Sequence, residues 1–94
     1  MGVWKATEWE SNSKWHCNCV DDLGHNSGAW WHPARILGIS PVQFIELLLT
    51  KYKPDHFSYS KESGFCNWSW DSQDKMRVYK NWINAKAREV NYQI

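Results

Sequence analysis

The chain has 94 residues, a formal net charge of +1 and three cysteines. Such a length makes one domain, residues 1–94, which buries roughly 60–65% of its unfolded surface. The odd cysteine count argues against a closed disulfide set, and the one long apolar run, Phe44 to Leu49, is too short and too charged to span a bilayer, so a reducing, cytoplasmic setting without membrane contact is expected.

Val3 to Glu10 reads as a first strand, and Ser11-Asn12-Ser13 as a turn. Lys14 to Val20 reads as the second strand and hairpin partner. Side chains alternate along a strand, which places Trp15, Cys17 and Cys19 on one face and His16 and Asn18 on the other. Asp21 to Gly28 has the composition of a loop.

Pro33 to Leu37 reads as a short helix, opened by proline and stopped by Gly38. Ser40-Pro41-Val42-Gln43 is a helix start: Ser40 caps, Pro41 suits the first position and Gln43 completes a capping box. That helix is expected to run to about Tyr52, because Lys53 precedes Pro54. Its apolar stripe is Phe44, Leu47 and Leu48, widened by Ile45 and Leu49. Phe57 to Ser60 and Phe65 to Trp70 read as two further strands joined by Lys61-Glu62-Ser63-Gly64.

Asp71 or Ser72 caps the last helix, expected from about Gln73 to Val90 with Asp74 in its first turn. Its inward stripe is Met76, Tyr79, Trp82, Ile83, Ala87 and Val90, and Arg77, Lys80, Asn84 and Arg88 fall on another face at helical spacing. The expected fold class is α+β: a small antiparallel sheet of two hairpins, about four strands, with two main helices and one short helix packed on it.

Eight Trp, four Tyr and three Phe are more aromatic bulk than so small a core encloses. Some of it is expected at the surface, where Trp and Tyr anchor interfaces. Charge is split along the chain. Lys5 and Lys14 are outnumbered by Glu8, Glu10, Asp21 and Asp22 near the start, whereas Lys75, Arg77, Lys80, Lys86 and Arg88 meet only Glu89 near the end. The two ends face each other or face different partners.

Three constellations carry chemistry. Cys17, Cys19 and Cys66 with His25 or His32 form a donor set for a structural zinc, three thiolates and one imidazole; the alternative is thiols that fill core space among Trp15, Trp68 and Trp70. Ala34 to Leu47 resembles a helix-turn-helix, with Ala34 and Gly38 in the small-residue positions and Ile39, Phe44 and Leu47 in the apolar ones. That resemblance implies a DNA-binding regulator with Gln43 at the major groove. Pro33 and the scarcity of cations on the second helix depart from the pattern. The third is the stripe Arg77, Lys80, Asn84 and Arg88, with Trp82 nearby, as a partner-binding surface. A Cys-His dyad from His16 and Cys17 is disfavoured, because neighbours on a strand point apart, and no nucleophile elbow or phosphate-binding glycine loop occurs. No enzymatic activity and no small-molecule substrate are expected.

The stretches WHCNCVDDLGHNSGAWW (residues 15–31) and YKNWINAKAR (residues 79–88) resemble those of small uncharacterised phage and mobile-element proteins of Gram-positive bacteria. That setting includes inhibitors of the anti-CRISPR type, which block a host defence nuclease by binding it. The resemblance implies a non-enzymatic protein that inhibits a larger, nucleic-acid-handling host partner. The expected partner is a protein, with direct nucleic-acid binding as the alternative.

Overall fold

Turn and cap chemistry sets the element boundaries. In the computed structural model, which describes residues 4–21, 32–63 and 65–92, β1 (Trp4–Ser11) pairs antiparallel with β2 (Lys14–Asp21). Their two-residue turn holds Asn12 and Ser13 at φ of 52° and 63°. Positive φ at both central residues is what lets a tight hairpin follow the right-handed strand twist.

The short helix α1 (His32–Leu37) ends at Gly38, whose φ is +68°. The Gly38 amide donates to the Arg35 carbonyl at 3.1 Å and the Ile39 amide to the Ala34 carbonyl at 3.1 Å, a doubly bonded C-terminal cap that a left-handed glycine permits. Helix α2 (Pro41–Leu47) begins with the expected capping box: the Gln43 amide donates to Ser40 Oγ, and the Ser40 amide to Gln43 Oε1.

The last turn departs from expectation. Residues Leu48–Tyr52 form a π-helical turn, and Lys53 stops it in a left-handed conformation at φ 43°. The wider turn moves the following side chains around the axis, so Leu48 is buried while Leu49 is exposed instead of widening the apolar stripe.

A second hairpin, β3 (His56–Ser60) with β4 (Phe65–Ser69), is antiparallel in the register His56↔Ser69, Phe57↔Trp68, Ser58↔Asn67, Tyr59↔Cys66. Gly64 of the connecting turn lies outside the described residues. The two hairpins meet at one bridge, Trp15↔Trp70, where each residue donates its amide to the other's carbonyl at 2.7 and 3.0 Å. The sheet is therefore two two-stranded ribbons joined at a point. The chain is an α+β fold of the expected kind. Trp70, expected inside the last strand, lies just beyond β4, at the bridge.

Helix α3 (Gln73–Glu89) is capped by Ser72, whose hydroxyl accepts from the Lys75 amide. It ends on Asn91 at φ 52°, with the Tyr92 amide donating to the Ala87 carbonyl at 3.0 Å, a cap like that of α1 with asparagine in the glycine's place. Met76, Tyr79, Ile83 and Ala87 are buried as expected, and Trp82 is half-buried. Val90 is the exception: it lies past the last helical residue and is 56% exposed.

The core gathers Trp4 and Ala6 of β1, Phe44 and Leu48, Trp70, and the buried stripe of α3. Tyr79 is its aromatic centre, with its ring 5.4 Å from Trp70, 5.5 Å from Tyr52 and 6.2 Å from Trp68. Offset and edge contacts of this kind contribute about 0.5–1.5 kcal/mol each beyond their burial. The buried Trp70 indole donates to the Tyr52 carbonyl at 2.8 Å, which satisfies one of the carbonyls left open at the end of the π turn. Trp9 is 54% exposed, in line with the surplus of aromatics. No helix among the described residues is long and apolar enough to cross a membrane.

Candidate functional site

The partner-binding stripe expected on α3 turns toward β1. Alternation puts Glu8 on the same face of β1 as the buried Trp4 and Ala6. Its carboxylate accepts from Arg77 Nε at 2.8 Å, from Gln73 Nε2 at 2.9 Å and from Lys80 Nζ. Arg77, then Lys80 and Gln73, hold the Glu8 carboxyl down to about 2, because hydrogen bonds and nearby cations favour the charged form. The acidic start and basic end of the chain thus meet in part.

Asn84 is engaged as well. Its Oδ1 accepts from the Ala6 amide at 2.8 Å, and its Nδ2 donates to the Ala6 carbonyl at 3.0 Å. Trp4 extends the same edge by donating its amide to the Tyr92 carbonyl at 3.2 Å. Helical spacing sets Trp82 on the opposite flank of α3, packed on Tyr52, and Arg88 at the exposed end. The five residues therefore do not form one patch: Arg77, Lys80 and Asn84 hold the helix to the first hairpin.

The zinc set is half in view. Cys17 and Cys66 are half-buried and not disulfide-bonded, and burial pushes the Cys66 thiol up to about 11. Cys17 packs against the core beside Trp15. The Cys19 side chain and all of His25 lie outside the described residues. His32 is buried, with Nδ1 2.6 Å from the Tyr92 hydroxyl. No three His, Cys, Asp or Glu side chains converge on a common point among the described residues.

In the region resembling a helix-turn-helix, α1 is six residues long and the Gln43 side chain is bonded back to Ser40. The exposed start of α2 presents Val42 and no cation.

A different surface combines charge, aromatic rings and unusual backbone. Lys51 and Tyr52 of the π turn, with Lys53 just after it, face Lys75 and Val78 of α3 across a cleft of about 240 Å³. Tyr52 and Trp82 stack with centroids 4.9 Å apart, and Lys51 Nζ lies 5.5 Å above the first ring and 5.6 Å above the second. None of the three lysines forms an ion pair among the described residues. Val78 is 60% exposed. A π turn and a left-handed, non-glycine residue ahead of Pro54 border one cleft, and both features concentrate at functional sites. Sequence reasoning missed this cleft because π turn and helix are distant in the chain. The visible signal was Lys51-Tyr52-Lys53, cations flanking an aromatic at a proline stop.

Comparisons with protein-family models, with curated proteins and with solved structures find no match to this chain.

Proposed function

We propose that the protein is a non-enzymatic binding protein that inhibits a larger, nucleic-acid-handling partner by covering an acidic surface with the Lys51, Lys53 and Lys75 cleft. The observation that carries this reading is the set of three lysines around Tyr52 and Val78 that form no ion pair among the described residues. Lysine heads meet carboxylates, and their stems, with Val78, supply the apolar contact of an interface. Lys51 already covers the faces of Tyr52 and Trp82, which favours a protein surface over stacked bases. Many enzymes that cut nucleic acid hold their divalent ions with carboxylates. A lysine cluster docked on those carboxylates takes the place of the ion.

The test is the triple variant Lys51→Glu, Lys53→Glu, Lys75→Glu, compared with Arg88→Glu on the other side of α3. Captured host protein is expected with the wild type and Arg88→Glu and is lost with the triple variant, with unchanged circular dichroism. Equal capture by the triple variant rejects the cleft, and a captured partner whose nucleic-acid activity is undiminished rejects inhibition.

A further inference from the structure

A second cleft lies where the two hairpins meet, away from the lysine cleft. Its volume is about 170 Å³, and its polar lining is Lys14 and His16 of β2, His56 and Ser58 of β3, and Asn67 and Ser69 of β4. The strand register explains why these groups converge. His56↔Ser69 and Ser58↔Asn67 are directly opposed pairs, so four polar side chains share one face of the second hairpin. The Trp15↔Trp70 bridge brings the outward face of β2, with His16, alongside them.

This polar face is rich in donors. Lys14 offers an ammonium, Asn67 an amide, Ser58 and Ser69 hydroxyls, and His16 and His56 imidazoles. Ser69 is only 3% exposed and lines the cleft from the end of β4. The acids next to His56 are Asp71, whose Oδ1 lies 2.7 Å from His56 Nε2, and Asp55, whose Oδ2 accepts from the Asp71 amide at 2.9 Å. Burial lowers the His16 imidazole below its ordinary value, hydrogen bonds to the Asn67 side chain and the Trp68 backbone oppose that shift, and Lys14 and His56 push it down further. Burial is the main cause of the shift, and the like charges of Lys14 and His56 add a smaller contribution that a bound anion offsets. Trp9, half-exposed, stands over His16 with ring centroids 5.2 Å apart.

We propose that this inter-hairpin cleft binds a phosphate group, carried by a small phosphate ester, through Lys14, His16, Ser69 and Asn67, with His56 held at the rim by Asp71. A tetrahedral oxyanion fits the volume and is matched to the Lys14 ammonium, the Asn67 amide and the Ser69 hydroxyl, with the Trp9 ring next to His16 just outside the lining. The site is separate from the lysine cleft and stands whether or not that cleft binds a protein.

The experiment is an NMR titration of the histidine ring resonances near pH 6, with inorganic phosphate, a nucleoside monophosphate, and sodium chloride at matched ionic strength. Saturable shifts of His16 and His56 with both phosphates, and none with chloride, are expected. A nucleotide that saturates at lower concentration than phosphate assigns the ester, with its base on Trp9; equal affinities assign the phosphate group alone. Lys14→Ala with Ser69→Ala, both shortening side chains without altering backbone pairing, is expected to weaken binding about tenfold or more. Non-saturating drift that chloride reproduces, or unchanged affinity in the double variant, overturns the site. Lys51→Glu is the control expected to leave phosphate binding unaltered, and loss of binding there also counts against the assignment.

Discussion

The Asn84 amide offers a donor and an acceptor side by side, which is what a neighbouring strand offers to Ala6. An exposed strand edge invites pairing with other chains, and here a helix side chain closes it. Asn84→Ala removes both bonds and leaves two partly buried peptide groups unpaired. It is expected to lower stability by about 2 kcal/mol, read as a shift of the urea midpoint; an unchanged midpoint shows that the edge does not depend on this amide. Asn84 was legible as polar at a helical position, but not as inward-facing, because its task depends on a strand 78 residues away. The same holds for Glu8: a carboxylate in phase with buried Trp4 and Ala6 announces a partner cation, while Arg77 and Lys80 become that partner only once α3 is docked.

At the scale of elements, the left-handed Lys53 is the unusual joint. A side chain in that conformation costs about 1–2 kcal/mol, and a following proline restricts the residue further. Lys53→Gly relieves the strain against the larger entropy that glycine loses on folding. A net gain of about 0.5–1 kcal/mol is expected, with weaker partner capture because one cleft lysine is gone. A thermal melt paired with the capture assay checks this, and a variant that melts lower shows that Lys53 makes a contact worth more than its strain. Elements were legible where single residues dictate them: Ser40 and Gln43 at the start of α2, Gly38 at the end of α1, Ser72 at the start of α3. The π turn was not, since Leu48 to Tyr52 carries an ordinary helical pattern and the contacts of Tyr52 with Trp70 and Tyr79 are long-range. The point contact between the ribbons was equally hidden, because pairing between β2 and β4 is long-range.

For the whole molecule, acidification is expected to act in two steps. His32 and His16 sit below their ordinary 6.5, chiefly because burial disfavours the charged ring. The unfolded chain therefore takes up these protons first. Their contribution is complete above about 6.5 and is lost as pH falls from there. Glu8 has the opposite chemistry and the same acid sensitivity: its carboxyl drops from 4.5 to about 2 on folding, so its contribution is complete above 4.5 and disappears on the way down to 2. Urea midpoints measured from about pH 8 to pH 2 are expected to fall in both windows. His32→Gln is expected to flatten the upper one and Glu8→Gln the lower. A level wild-type midpoint between about pH 8 and 5 contradicts the imidazole part.

The bond from the Trp4 amide to the Tyr92 carbonyl, with the two rings edge to face at 6.3 Å, stitches the start of the described chain to its finish. Neighbouring ends make the path of the polypeptide nearly a circle. Tethering them through their flanking residues and reopening the backbone at the exposed turn of Lys61, Glu62 and Ser63 changes the order in which the ribosome makes the pieces while each keeps its place. The architecture is thus defined by who sits beside whom, and the starting point of the thread is interchangeable.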